Sequence, residues 1–360
     1  MKRSFGYLVV LTLLAISAVM VFAPKDRSSG TSVDDALLLA DISTQINDVN
    51  RVEIVSAGQK TVATLSRSGD NWTHEQMGGY SADWSKLQAL LAALAQARVI
   101  ETKTDKPEYY TRLGVEDVAS ESAGSVQVNL GFGDQTRSVL IGQRAQGRQG
   151  QFVRLQDSQS AALVDRVFEV PTDPLEWADT RIIDINSSEV AQVEIIHPQG
   201  ERVFVIRISA DQTDFDLVGL PQDREIKSSW AVNSLGSVLS LLTLESVHAD
   251  SDLDWSDAVK MRVLLFSGVE IMADVLQTGE TYMLRLHASN PRAKVVKADA
   301  ESTDASVEQQ DIDRRAAEDV AKAVDDINRR TEGWVYGISK QKYDAMVKKP
   351  EDLLKPVEST

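Results

Sequence analysis

Ile46-Asn47-Asp48-Val49-Asn50-Arg51-Val52-Glu53-Ile54 decides the fold, because the chain says it again as Ile185-Asn186-Ser187-Ser188-Glu189-Val190-Ala191-Gln192-Val193-Glu194-Ile195, with two extra residues. Outward from the first copy, Arg51 to Val55 alternates as a half-buried strand does, and Thr61 to Leu65 supplies its partner across a Ser56-Ala57-Gly58 turn. Trp72 follows Gly69-Asp70-Asn71, and Gly78-Gly79 marks a loop. Ser81 or Asp83 then caps a helix whose apolar positions are Leu87, Leu90, Leu94 and Ala97. The second copy runs in parallel. It has strands at Val193 to Ile196 and Val203 to Ile208, and Phe215 where Trp72 stood. Ser228 or Ser229 caps a helix with Val232, Leu235, Leu239 and Leu242 at the same intervals, one face of a helix in each case.

The duplication extends further. Val126, Val128 and Leu130 alternate, Gly131-Phe132-Gly133-Asp134 turns, and Ser138 to Ile141 returns. Phe152 to Leu155 is predicted as a third strand and Ser160 to Phe168 as a short helix. In the second copy the strand set is Met261 to Phe266, Ile271 to Val275 and Thr281 to Leu286, with Gly268 as turn. Trp334 to Ile338 aligns with Phe152 to Leu155, and Tyr343 to Val347 with the short helix. An insertion at about 288–331 breaks the symmetry. Its centre, Asp311 to Arg330, places Ile312, Ala316, Val320, Val324 and Ile327 in a narrow apolar stripe on a charged helix. Packing on its own domain is the leading reading of that stripe, and docking on a partner the alternative.

The fold class expected is α+β: an N-terminal transmembrane helix, then two tandem repeats of mainly antiparallel sheet with packed helices. The expected division is an anchor at 1–24, a tether at 25–44, a first repeat at 45–180 and a second at 181–360. Lys2 and Arg3 precede an uncharged stretch from Ser4 to Pro24, long enough to span a bilayer. A cleaved signal is the rival, but Val21-Phe22-Ala23 is followed by Pro24, a poor cleavage context. Either reading exports the body, and the basic tail favours an N-terminus in the cytoplasm. The protein has no cysteine, so disulfide and thiolate chemistry are absent. A formal net charge of −16 argues against nucleic acid as a partner.

No catalytic, cofactor-binding or metal-binding residues are assigned. The four histidines, His74, His197, His248 and His287, lack any spacing that sets two metal ligands on one turn. His197, ahead of Pro198-Gln199-Gly200, reads as a solvent-facing turn residue. Gly131 to Gly133 and the loop Gly142 to Gly150, with Arg144 and Arg148, do not open helices after strands, as a phosphate cradle requires. Both are expected to be hairpin tips. Of the six tryptophans, Trp72, Trp177 and Trp334 are expected in cores, and Trp84, Trp230 and Trp255 partly exposed.

The basic start, the Ile46 to Ile54 opening, Gly79-Tyr80-Ser81-Ala82-Asp83 and the Leu-rich helix resemble a large bacterial family, domain of unknown function 4340. So do the segment from Tyr109 through Leu113-Gly114-Val115-Glu116-Asp117, Gly150-x-Phe152-Val153-Arg154, and Asp173-Pro174-x-x-Trp177. These motifs are structural, and no functional residues carry over. The resemblance implies a single-pass protein of the bacterial inner membrane with its body in the periplasm. It also implies an accessory role beside ABC transporter permease and ATPase subunits, of the export or gliding-motility type. The expected function is therefore a non-enzymatic, membrane-anchored scaffold. The alternative is an envelope glycan- or peptide-binding module, or a hydrolase, with a groove between the repeats.

Overall fold

Alternation in β1 (Arg51–Ser56) buries Val52 and Ile54 completely and leaves Arg51 in solvent. A strand with one apolar face must pair on both edges and cover that face. β1 accordingly pairs antiparallel with β2 (Lys60–Ser68) on one side and with the distant β6 (Val126–Phe132) on the other. Four shorter strands, β3 (Asn71–His74), β4 (Tyr80–Ser81), β5 (Val99–Thr102) and β9 (Ala161–Val164), join β7 (Gln135–Arg144) and β8 (Gln151–Leu155). The nine-stranded order is β4-β3-β2-β1-β6-β7-β8-β9-β5. The computed structural model that shows this describes residues 36–40, 43–250, 253–291 and 307–356. The predicted anchor at 1–24 and most of the tether lie outside the described residues. Among those described, no helix is long and apolar enough to cross a membrane.

After β10 (Arg181–Ile183) the arrangement recurs. The second sheet is built from β11 (Val190–Ile196), β12 (Arg202–Ile206), β13 (Asp216–Leu217), β15 (Ser246–Ala249), β16 (Val259–Leu265), β17 (Glu270–Thr278), β18 (Thr281–Ser289) and β19 (Trp334–Gly337). Its order, β13-β12-β11-β16-β17-β18-β19-β15, matches the first sheet strand for strand from β3 to β5. β10 pairs separately with β14 (Leu242–Thr243). The structure is thus mixed, with two large antiparallel sheets and a few helices, and fits the α+β class.

Asp83 caps α1 (Trp84–Gln96) by accepting from the Lys86 N–H, and Leu87, Leu90, Leu91 and Leu94 enter the first core. α2 (Tyr110–Leu113) ends at Gly114, whose φ of +65° suits a glycine at a helix C-terminus. In the second unit Ser228 caps α3 (Ser229–Asn233), which tightens into a 3-10 turn at Ser234–Ser237. The predicted helix is shorter than its apolar spacing suggested, and Leu242 lies in β14 instead. Ser234 and Ser237 hydroxyls bond back to carbonyls three residues earlier, a habit that disfavours regular helix.

Two further expectations are corrected. Ser160 to Phe168 is not helical: Ala161–Val164 is β9, with Ala161, Leu163 and Val164 buried. Burial on both faces erases the polar alternation, so a short apolar run does not announce its period. Trp334–Gly337 consequently corresponds to β9, while Phe152 to Leu155 corresponds to β18. The insertion therefore falls between the equivalents of β8 and β9, where the first sheet has only a short turn.

That insertion contains α4 (Val307–Thr331). β19 pairs with β18 only at Met283 and Leu284, which leaves the rest of that β18 edge open. α4 covers it. Val320, Ala323, Val324 and Ile327 pack on the second core, and Asn328 both donates to Ala288 O (2.9 Å) and accepts from Ala288 N (2.7 Å). One side chain thus replaces a missing ladder rung. α5 (Lys340–Met346) and α6 (Pro350–Leu353) complete the described chain.

Candidate functional site

The two units meet where β4 hands the chain to α1. Tyr80 alternates inward but away from its own core. It sits among the buried residues of the second unit, edge-on to Trp334 (5.0 Å, 83°) and Tyr336 (6.2 Å, 75°). The Tyr336 hydroxyl donates to Arg330 O at 3.0 Å, beside the Tyr80 ring. Burial, then the Asp179 carboxylate, pushes the Tyr80 phenol up to about 12; burial raises Tyr336 as well.

The connecting segment is stitched to the same strand end. Trp177 is fully buried in the first core, its Nε1 donating to Pro171 O. Asp83 N donates to Trp177 O (2.8 Å) and Asp179 N to Ser81 O (2.9 Å), with an Ala82–Ala178 bridge between them. His74, wholly buried, donates through Nε2 to Pro174 O at 3.2 Å. Its Nδ1 then carries the lone pair and has no partner.

Beside this seam opens a cleft of about 790 Å³. Trp84 forms one wall, 48% exposed, its ring stacked on Trp72 at 6.4 Å. Leu241 also lines the cleft, 66% exposed and with a φ of +45°. A non-glycine residue in that region is strained, and such residues gather where binding or switching occurs. Arg181 and Arg330 supply positive charge. The carboxylates are already engaged. Asp83 caps α1 at 3.0 Å, and Asp179 pairs with Arg330 (3.3 Å) while accepting from Arg181 N (3.2 Å). The cleft therefore offers an aromatic platform, an aliphatic rim and a cationic end.

The remaining candidates fall into place around it. His197 is a correction: it is buried, with Nε2 against Lys348 O at 3.1 Å, because α5 and the turn after it fold back over the β11–β12 hairpin. His248 and His287 are exposed. Among the described residues no three His, Asp or Glu side chains converge in a way that could hold a metal ion. In the Gly142 to Gly150 tip, Arg148 pairs with Glu101 (2.6 Å) and Arg144 with Glu169 (3.6 Å). Trp72 and Trp177 are buried and Trp334 half-buried, while Trp84 and Trp230 are exposed and Trp255 is half-buried.

The family model for the domain of unknown function DUF4340 matches residues 72–255, a little over half of the chain. The chain belongs to the DUF4340 family. No curated protein and no solved structure matches. The matched region holds the seam from Trp72 through Trp177 and runs into the second sheet. Residues quoted as DUF4340 motifs now acquire physical roles. Arg154, 8% exposed, donates to Val115 O (3.0 Å) and Ser158 O (3.2 Å), and lies 4.6 Å over the Tyr110 ring. It thereby clamps the Tyr110–Gly114 segment on the outer face of the first sheet. Gly142 permits that approach, since a Cβ there would stand 2.4 Å from Leu113 O. Arg207 does comparable work in the second unit, gripping Val190 O and Ser187 O beneath Phe215. Sequence offered Arg154 only as part of a family motif and Arg207 not at all, because both act on backbone carbonyls.

Proposed function

We propose that this DUF4340 protein is a non-enzymatic accessory subunit, anchored in the inner membrane with its body in the periplasm. We assign its partners as the permease and ATPase subunits of an ABC transporter. The membrane and transporter parts rest on the N-terminal apolar stretch and on the family resemblance. The observation that carries an adapter role is α4. Its C-terminal half packs on the body, yet every side chain from Arg314 to Asp319 faces solvent, including Ala316 of the predicted stripe. A stretch of helix that exposes all its side chains from Arg314 to Asp319 gains little from its own domain, so a partner surface is its natural counterpart.

The test is a mild-detergent pull-down of tagged, full-length protein from its native membranes, read by mass spectrometry. Permease and ATPase are expected at near-equal amounts, and shortening α4 by removing 307–319 should reduce them while the body stays folded. Unchanged recovery after that deletion would remove the helix from the proposal.

A second reading is favoured by the cleft. Exposed Trp84 and strained Leu241 lining one cleft with Arg181 suit an envelope glycan or peptide lying across the seam. Trp84→Ala should then abolish retention on the cognate envelope fraction and leave transporter recovery intact. Loss of both together would assign the cleft to the transporter instead.

A further inference from the structure

The chain is strongly acidic, at −16, yet one stretch reverses that sign: Lys340, Lys342, Lys348 and Lys349 lie close together, with Asp344 the sole acid between them. The stretch forms α5 and the turn after it, and α5 faces α3 across a groove of about 730 Å³. Trp230 stands on the α3 side, 79% exposed, the most exposed tryptophan that the structure describes. The groove's floor is apolar, made by Ala231, Val238, Ala345 and Leu353.

The acids near this groove are spoken for. Asp344 holds Lys340 at 2.6 Å, and Asp352 accepts from Lys349 N at 2.9 Å. Lys342 turns inward and donates to Ser240 O at 2.6 Å, closing the end of the helical segment that begins with α3. The rim is left with the ammonium groups of Lys227 and Lys348 against the single carboxylate of Asp352. A protruding tryptophan over an apolar floor, edged by cations, is the complement of an amphipathic segment bearing carboxylates. The net charge of −16 disfavours an acidic partner over most of the surface, so a cationic rim here favours this groove for it.

We infer that the α3–α5 groove is a docking site for an acidic, amphipathic segment of a partner protein. The segment's apolar side chains cover Trp230 and Ala231, and its carboxylates meet Lys227 and Lys348. This surface is distinct from the exposed half of α4 and from the seam cleft, and it stands whether or not those bind.

The probe is a fluorescent helical peptide with leucines at every third or fourth position and glutamates elsewhere, titrated by anisotropy against full-length protein in neutral detergent micelles. The acidic peptide is expected to bind, and more weakly as salt rises. Trp230→Ala should weaken it about tenfold or more, and joint Lys227→Glu and Lys348→Glu should abolish it. Trp230 and Lys227 are exposed and Lys348 half-buried, so unchanged thermal melting is expected to accompany both effects. Equal binding of a peptide with lysine in place of glutamate overturns the inference, as does equal binding of leucine-free polyglutamate. Wild-type affinity in the Trp230→Ala protein does the same. Displacement of the peptide by micelles doped with phosphatidylglycerol, at matched detergent, would give the groove to lipid headgroups and overturn it too.

Discussion

The ring of Tyr80, on the first sheet, meets Trp334, on the second, edge to face at 5.0 Å. Tyr80 is therefore a peg from one unit seated in the core of the other. Its removal leaves a void in an aromatic cluster, which costs about 3–5 kcal/mol for large core residues. Tyr80→Ala is expected to split urea unfolding into two separated transitions as the units lose their coupling. Tyr80→Phe keeps the ring contacts and is expected to keep the single transition. A single wild-type transition in Tyr80→Ala would mean the seam is held elsewhere.

The same cluster sets an alkaline limit. With Tyr80 raised to about 12 and Tyr336 raised in the same sense, the unfolded phenols ionise first as pH climbs past their ordinary value near 10. Stability is whole below that value and falls as pH rises toward 12. Tyr80→Phe should flatten part of that fall, measured by chemical denaturation across the alkaline range.

His74 sets the acid side. Its buried ring is held neutral, and burial lowers its pKa against the smaller raising effects of the Pro174 carbonyl bond and Glu75. A depressed pKa means that the unfolded chain takes up a proton first on acidification. Stability contributed by the neutral ring is present above pH 6.5 and is lost as pH falls from there through the folded value. Replacing His74 with Gln, which can still donate to Pro174 O, is expected to remove this step from the pH profile. Persistence of the same acid slope in that variant would assign it to carboxylates.

How much of this was legible depends on what each residue touches. β1 and β11 declare themselves because Val52 and Ile54, like Val193 and Ile195, alternate with polar neighbours that remain on the outer face. α1 is equally plain from its leucine spacing. β9 is not, since both its faces are buried. The junction was invisible for another reason: Tyr80 and Trp334 lie at opposite ends of the chain, and nothing local to either names the other. Trp84 could be flagged as exposed, but its sharing a cleft with Leu241 comes only from bringing the sheets together. The clamps made by Arg154 and Arg207 leave no side-chain pattern, because their partners are backbone carbonyls.

Those clamps carry the next expectation. Arg154 spreads its guanidinium over Val115 O, Ser158 O and the Tyr110 ring at once. Lysine offers a point charge without that planar fork, so Arg154→Lys should rescue little of what Arg154→Met loses. Each is expected to cost about 1–3 kcal/mol, chiefly through carbonyls left buried and unpaired. The local readout is sharper than the global one. Limited proteolysis should gain a cut between Asp105 and Ser125, where the segment is released from the sheet, before the rest of the fold is attacked. Equal protection of wild type and Arg154→Lys would show that Tyr110 alone secures it.

Asn328 offers the cleanest separation of stability from partner binding. Both its amide groups are spent on Ala288, so Asn328→Ala leaves that backbone N–H and carbonyl at an open strand edge without partners. The loss is expected to be about 1–3 kcal/mol, with hydrogen exchange accelerated at Ala288 and along the C-terminal half of α4. Asn328→Asp should recover the acceptor and not the donor, and so fall between. Substitutions at Arg314, Arg315 and Glu318, by contrast, touch only the exposed half of the helix. They should leave exchange and melting unchanged, whatever they do to partner recovery. If Asn328→Ala instead exchanges like wild type at Ala288, α4 is held to β18 by Val320, Val324 and Ile327 alone, and the paired amide contributes nothing measurable.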